Sequence, residues 1–239
     1  MKALGLAVAA VLTGFVAMAS AQDDTNSVYS ANVVGVIRKT LPAGKQMLIS
    51  VPLDDMASTN AAIPFLELPF LSTLPNNSSA NVWDPVNNEW ISGVRTRGKW
   101  AGAITNVALR AGQPIFLLNG GASPVTITLV GEVPEDSSIP IALANANQMQ
   151  GYANPYPVAF VFGTSALASN AVNNSSVSFW DVENNDWISG SKTRGAWSTT
   201  VRSKTVNPAE GFLLVHGPTA ASGGTWEVSK PYEWPESSN

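Results

Sequence analysis

The stretch Asn76 to Trp100, NNSSANVWDPVNNEWISGVRTRGKW, recurs at Asn173 to Trp197 as NNSSVSFWDVENNDWISGSKTRGAW. Sixteen of the 25 positions are identical at a constant offset of 97, and the exchanges Glu89/Asp186 and Arg95/Lys192 keep their charge. Similarity of this length is an internal repeat, and a repeat decides the architecture before any single propensity does. The register runs on downstream without a gap: Leu109 meets Val206, Ile115 to Leu118 meet Phe212 to Val215, and Gly120 meets Gly217. Upstream, Leu48 to Pro52 correspond to Gly151 to Pro155 once an insertion of several residues is admitted. The unit is therefore about 100 residues long and occurs twice, with a junction in the Gly, Pro, Glu, Asp and Ser cluster at Gly131 to Ser138.

Short Val, Ile, Leu, Thr and Trp runs punctuated by Gly, Pro, Asn and Ser predict an all-β chain. The first unit is expected to hold strands at Val33 to Thr40, Gln46 to Val51, Ala80 to Asp84, Glu89 to Ser92, Pro114 to Leu118 and Val125 to Val130. In the second, strands are expected at Ile139 to Leu143, Val158 to Phe162, Val177 to Asp181, Asp186 to Ser189, Gly211 to His216 and Thr225 to Ser229. Only Asn60 to Leu68 invites a helix, and Pro64 keeps it short. The predicted architecture is two homologous β-sandwich or barrel-like lobes from an internal duplication, at 33–133 and 134–232, with an extension at 22–32 and a polar tail at 233–239.

Inside the repeated block, Asn87-Asn88 and Asn184-Asn185 tolerate the positive φ angles of a two-residue type I′ turn. Such a turn sets Trp83 opposite Ser92 and Pro85 opposite Trp90, with both indoles on one face and Val82, Asp84 and Ile91 on the other. Gly93 and Gly190 then end the hairpins, and Thr96-Arg97-Gly98 and Thr193-Arg194-Gly195 make second turns leading to Trp100 and Trp197.

Six of the eight Trp lie in the two blocks, so the candidate ligand-binding set is Trp83, Trp90, Trp100, Arg97 and Asp84 with their counterparts Trp180, Trp187, Trp197, Arg194 and Asp181. Two readings stand. In one the indoles pack in a core or an interface, with Arg97 stacked on a ring or paired with Asp84. In the other, exposed aromatics stack on sugar faces while Asp, Asn and Arg bind hydroxyls; a self-assembling or adhesive surface is a further use of the same patch.

Other chemistry is thinly represented. Asp84, Asn87, Asn88 and Glu89 offer oxygen ligands without the spacing of a known Ca²⁺ loop. The pairs Asp84/Glu89 and Asp181/Asp186 offer glycosidase carboxylates, though in duplicate. His216 is replaced by Asn119 in the other unit, which reads as a polar strand-end residue rather than a base. With no Cys and one His, thiolate sites and disulfides are excluded. A net charge of −4 without a basic run leaves no footprint for nucleic acid. Charged residues make up only 13% of the chain, and 20 Asn with abundant Gly and Ser take over the solvation of the turns.

Lys2, the apolar run Ala3 to Ala17 and Ala19-Ser20-Ala21 predict a cleaved signal peptide at 1–21. No second run is long enough to span a bilayer, so the mature chain is expected outside the cytoplasm: extracellular, at the cell surface or in the periplasm. Asn76-Asn77-Ser78 and Asn173-Asn174-Ser175 match the N-glycosylation pattern, but the leader has a bacterial look and they read as polar turns.

The order of a strand ending in x-Pro, then W-D-x-x-N-N-x-W, a Gly/Trp turn and a step into a final strand resembles exported β-repeat proteins of planctomycete and verrucomicrobial bacteria. The step is Ala111-Gly112-Gln113-Pro114-Ile115 in one unit and Pro208-Ala209-Glu210-Gly211-Phe212 in the other, a partial match to that family's Pro-Gly-x-Gly-Phe. The resemblance spans Val33 to about Val228. It implies export and β architecture and supplies no catalytic residue or cofactor. The sequence thus predicts a non-enzymatic exported β protein with a structural, adhesive or self-assembling role, whose partner is itself or a polysaccharide; the alternatives are a carbohydrate-binding module using Trp platforms and a glycosidase.

Overall fold

The computed structural model describes residues 33–54 and 62–233. The predicted leader, the extension at 22–32, nearly all of the tail at 233–239 and the first residues of the expected helix lie outside that range. The chain is all-β: every named strand pairing is antiparallel, and the two α-helices, Ala166–Asn170 and Thr199–Arg202, are one turn each. Two five-stranded sheets carry the same strand order. The first runs Gln46–Ile49, Ile115–Leu118, Ser79–Asp84, Glu89–Thr96, Lys99–Gly102, and the second runs Met149–Ala153, Gly211–Val215, Ser176–Asp181, Asp186–Thr193, Ala196–Trp197. Each is accompanied by a two-stranded ribbon, Val34–Leu41 with Val125–Glu132 in the first half and Ser138–Ala142 with Thr225–Ser229 in the second.

The strand alternation sorts each sheet into two faces. In the first, Ala80, Val82, Ile115 and Leu117 point inward to a core that also holds Phe65, Phe70 and Ile104. In the second, Val177, Phe179, Phe212 and Leu214 join Tyr152, Phe162 and Val201. The opposite faces carry Trp83, Trp90 and Phe116 in one sheet and Trp180, Trp187 and Leu213 in the other, and these faces meet. Residues 33–54 and 62–233 consequently pack as one unit with two apolar cores.

Four hydrogen bonds tie the halves in reciprocal pairs. Gln46 pairs with Leu118, and Met149 pairs with Val215, its repeat counterpart, so Gln46 and Met149 are equivalent. The Trp83 indole N–H donates to Met149 O (2.5 Å), and the Trp180 indole N–H donates to Gln46 O (2.8 Å). The Ala153 N–H donates to Gly112 O and the Ser50 N–H to Ala209 O, each at 2.9 Å. Each bond has its image with the halves exchanged, which is the signature of a pseudo-two-fold arrangement.

The hairpin register differs from the expected one. Trp83 faces Trp90 and Asp84 faces Glu89, leaving a four-residue loop, Pro85 to Asn88, in place of a two-residue turn. The Asp84 side chain explains it: Oδ1 accepts from the N–H of Val86 (2.8 Å) and Asn87 (3.3 Å), and Oδ2 accepts from the Asn87 amide (2.7 Å). An Asx turn closed this way competes successfully with type I′. The shift is by two residues, so the indoles stay on the expected common face. The tight turn with two positive φ angles lies instead at Arg97-Gly98 and Arg194-Gly195, between directly paired Thr96/Lys99 and Thr193/Ala196.

Gly93 and Gly190 sit within strands that run on to Thr96 and Thr193, where a Cβ would collide with Ile104 or with Ser198 and Val201. Around the expected helix, Ile63–Pro64 is a short strand and Phe65–Glu67 a single 3₁₀ turn, because Pro64 and Pro69 leave no room for an α-helical ladder. Val158 to Phe162 reduces to the two-residue strand Phe160–Val161, and the sheet edge is taken by Met149–Ala153.

Candidate functional site

Most of the repeated block is explained by folding chemistry. The Asn76 and Asn173 side-chain oxygens each accept the N–H of the turn glycine, Gly98 and Gly195, at 2.8 Å. The Ser78 and Ser175 hydroxyls accept the N–H of Gly120 (3.1 Å) and Gly217 (2.9 Å). The charge-preserving pair Arg95/Lys192 binds carbonyls at the ends of short helices: Arg95 reaches Ser72 O, and Lys192 Nζ holds Ala168 O, Ser169 O and Ala171 O at 2.7 to 2.9 Å.

The ten candidate ligand residues separate accordingly. Trp197 is 6% exposed and donates to Ala168 O from the second core. Trp100 packs edge-on against Phe65 at 5.2 Å beside the first core. Arg97 and Arg194 are exposed at the positive-φ position of their turns. The ion pair found among the described residues is Lys39 with Glu210, so Arg97 does not pair with Asp84. The Asp84 and Asp181 carboxylates are held below the usual range first by the Asn87 and Asn184 amides and then by backbone N–H groups, which fits a turn and not a proton donor. No three Asp, Glu or His side chains converge as metal ligands among the described residues.

The remaining four indoles form one array through a residue absent from the candidate set, Phe116. Trp83 lies edge-on to Trp90 (5.2 Å) and Trp180 to Trp187 (4.9 Å). Phe116 meets Trp180 edge-on at 4.9 Å, stacks on Trp187 at 5.7 Å, and reaches Trp90 at 6.3 Å. Phe116 faces Asn81 from the all-apolar run Ile115 to Leu118, where no polar alternation marks which residues point away from the core.

The two ends of this array are unequal. At one end the tip of the second hairpin is seated on the first half: Val182 packs against the first core, Lys45 Nζ donates to Glu183 O (3.2 Å), and the Gln46 N–H donates to the Asn185 side chain (3.3 Å). At the other end the tip of the first hairpin stands free. Val86, the counterpart of Glu183, is 84% exposed with no partner from the second half among the described residues, and Trp90 is 37% exposed. Where Phe116 packs against both Trp180 and Trp187, its counterpart beside Trp83 and Trp90 is the smaller Leu213.

The result is an open cleft of about 820 Å³ between the halves. Trp83, Pro85 and Trp90 make one wall, and Leu48 and Leu213 contribute apolar floor. Asn145, Gln148 and Gln150 also line the cleft, on and beside the segment equivalent to the one the second hairpin tip occupies. Arg110 and Gln113 close a further side. None of the described residues lining the cleft is Asp, Glu or His. No family model, curated protein or solved structure matches the chain.

Proposed function

We propose that this chain is an exported, non-enzymatic β protein of the cell surface or extracellular matrix that binds a polysaccharide in the open cleft. The observation that carries the reading is the part-exposed Trp90 indole, braced by Trp83 in a cleft that Asn145, Gln148 and Gln150 also line. An apolar platform sharing a cleft with amide donors and acceptors is complementary to a pyranose ring, with its C–H face and its hydroxyl rim, and the volume is that of an ordinary ligand site. The expected outcome on a glycan array is retention of a polysaccharide by the native chain and its loss in Trp90→Ala, measured at a temperature where circular dichroism shows the variant folded. Trp83→Ala is the contrasting case: it removes an indole N–H bond between the halves and lowers stability as well. Glycan retention that survives Trp90→Ala overturns the reading.

Self-association is a second reading, favoured by a separate surface. The outward face of the ribbon formed by Val34–Leu41 and Val125–Glu132 exposes Val34, Val36 and Val130, with Val36 and Val130 directly paired. An apolar two-stranded ribbon presenting a strand edge is a template for a second copy. Val36→Lys should then abolish concentration-dependent light scattering while leaving glycan retention intact; scattering identical in both proteins counts against this surface.

A further inference from the structure

Arg110 brings the only ionic charge among the described residues lining the cleft, and its surroundings differ from those of its repeat counterpart in one informative way. At the closed end, the loop Asn207 to Gly211 is stapled by Glu210, whose carboxylate accepts the Asn207 N–H at 3.0 Å and pairs with Lys39 at 3.3 Å. At the open end the same staple is made by Gln113, whose side-chain oxygen accepts the Arg110 N–H at 3.3 Å. The loop geometry is kept while the negative charge is removed, and the residue equivalent to Asn207 is now an arginine. The exchange of Lys45 for Gln148 across the repeat likewise replaces a charged lining position with an amide. A guanidinium is thus left at the cleft without a carboxylate partner among the described residues, in a chain whose net charge is −4.

From this we infer that the cleft takes an acidic carbohydrate, a chain of uronate sugars, with the Arg110 guanidinium on a sugar carboxylate and Trp90 under a ring. The inference rests on the cleft reading proposed above and specifies its ligand class. Arginine presents two parallel N–H donors matched to a carboxylate, and such charge-assisted bonds exceed neutral ones. The amides of Gln148 and Asn145 then serve the uncharged hydroxyls, which need no ionised partner.

The test is titration calorimetry of the full chain with oligogalacturonate in its free-acid and fully methyl-esterified forms, which share every ring atom and differ in charge. Free acid is expected to bind roughly ten-fold or more tightly than the ester, with the advantage shrinking as salt is raised. Arg110→Gln should bring the free acid down to the ester's affinity. Gln113→Glu should do the same by supplying the carboxylate that Glu210 supplies at the other end, where it is accommodated by the same loop. Equal affinity of the two forms for the native chain, with both lost in Trp90→Ala, overturns the acidic class and leaves the cleft as a neutral-glycan site. A preference that persists in both variants overturns the assignment to Arg110. Binding of neither form, together with an empty glycan array, overturns the inference and the underlying reading together.

Discussion

The only imidazole shows how a single residue can look functional and be structural. His216 follows the strand Gly211–Val215 and is 4% exposed; its Nε2 lies 2.7 Å from the Tyr152 hydroxyl, which also accepts the Ala144 N–H at 3.1 Å. The hydroxyl and Nε2 share one hydrogen bond, whose donor is set by the imidazole tautomer. Burial favours the neutral ring and lowers the His216 pKa from 6.5. The unfolded chain therefore binds more protons than the folded one just below pH 6.5, and stability, complete above that value, is lost progressively as pH falls toward the folded-state pKa. Urea unfolding at pH 7.5 and at pH 5 should reveal this loss, and His216→Asn, which installs the counterpart residue Asn119, should flatten that part of the profile. A native profile already flat between those values would remove His216 from the account.

At the scale of elements, one-turn helices and hairpin tips are held by side chains from the sheets. Lys192 is 7% exposed and holds three carbonyls at the end of Ala166–Asn170, so Lys192→Met removes this donor from Ser169 O and Ala171 O, while Ala168 O keeps the Trp197 N–H, and should cost about 1–3 kcal/mol in chemical denaturation. The Asx turns provide an internal control because the same turn occurs docked and free. Asp181→Ala loosens the tip that seats Val182 on the first core and is expected to lower the melting temperature more than Asp84→Ala, whose tip touches solvent; equal shifts would show that docking adds nothing. These elements also mark what could be read in advance. The strands Val125–Glu132, Ser176–Asp181 and Thr225–Ser229 announced themselves through β-branched alternation between turn residues. Met149–Ala153 did not, because Gln150 and Gly151 break the pattern and the strand is created by pairing with Gly211–Val215. The hairpin register failed for a comparable reason: Asn-Asn is a turn signal, but the Asp84 carboxylate immediately before the loop decides which turn forms. Trp83 and Trp90 could be named from the block, whereas Phe116, Arg110 and Gln113 could not. Their roles depend on how the halves face each other, which no local period encodes.

For the whole molecule, the site arises where the pseudo-two-fold relation fails. Reciprocal bonds through Trp83 and Trp180, and through Gly112 and Ala209, hold the halves symmetrically. Identity in the repeated block maintains that frame, so the differences outside it determine what each end does. Phe116 packs against Trp180 and Trp187 at the closed end, and Leu213 leaves the equivalent volume open beside Trp83 and Trp90. Leu213→Phe should then fill the cleft with a ring whose fit is demonstrated by its twin. Overpacking ordinarily costs 1–3 kcal/mol, but here the added atoms enter solvent-accessible space and bury apolar area against two indoles, which stabilises by about 25 cal/mol per Å². The expected result is a melting temperature at or above that of the native chain together with at least a ten-fold loss of glycan affinity. Trp90 fluorescence should shift to shorter wavelength as its environment dries. If Leu213→Phe folds with unchanged stability and binds glycan as the native chain does, the ligand does not occupy this space, and the asymmetry of the two ends serves something other than binding.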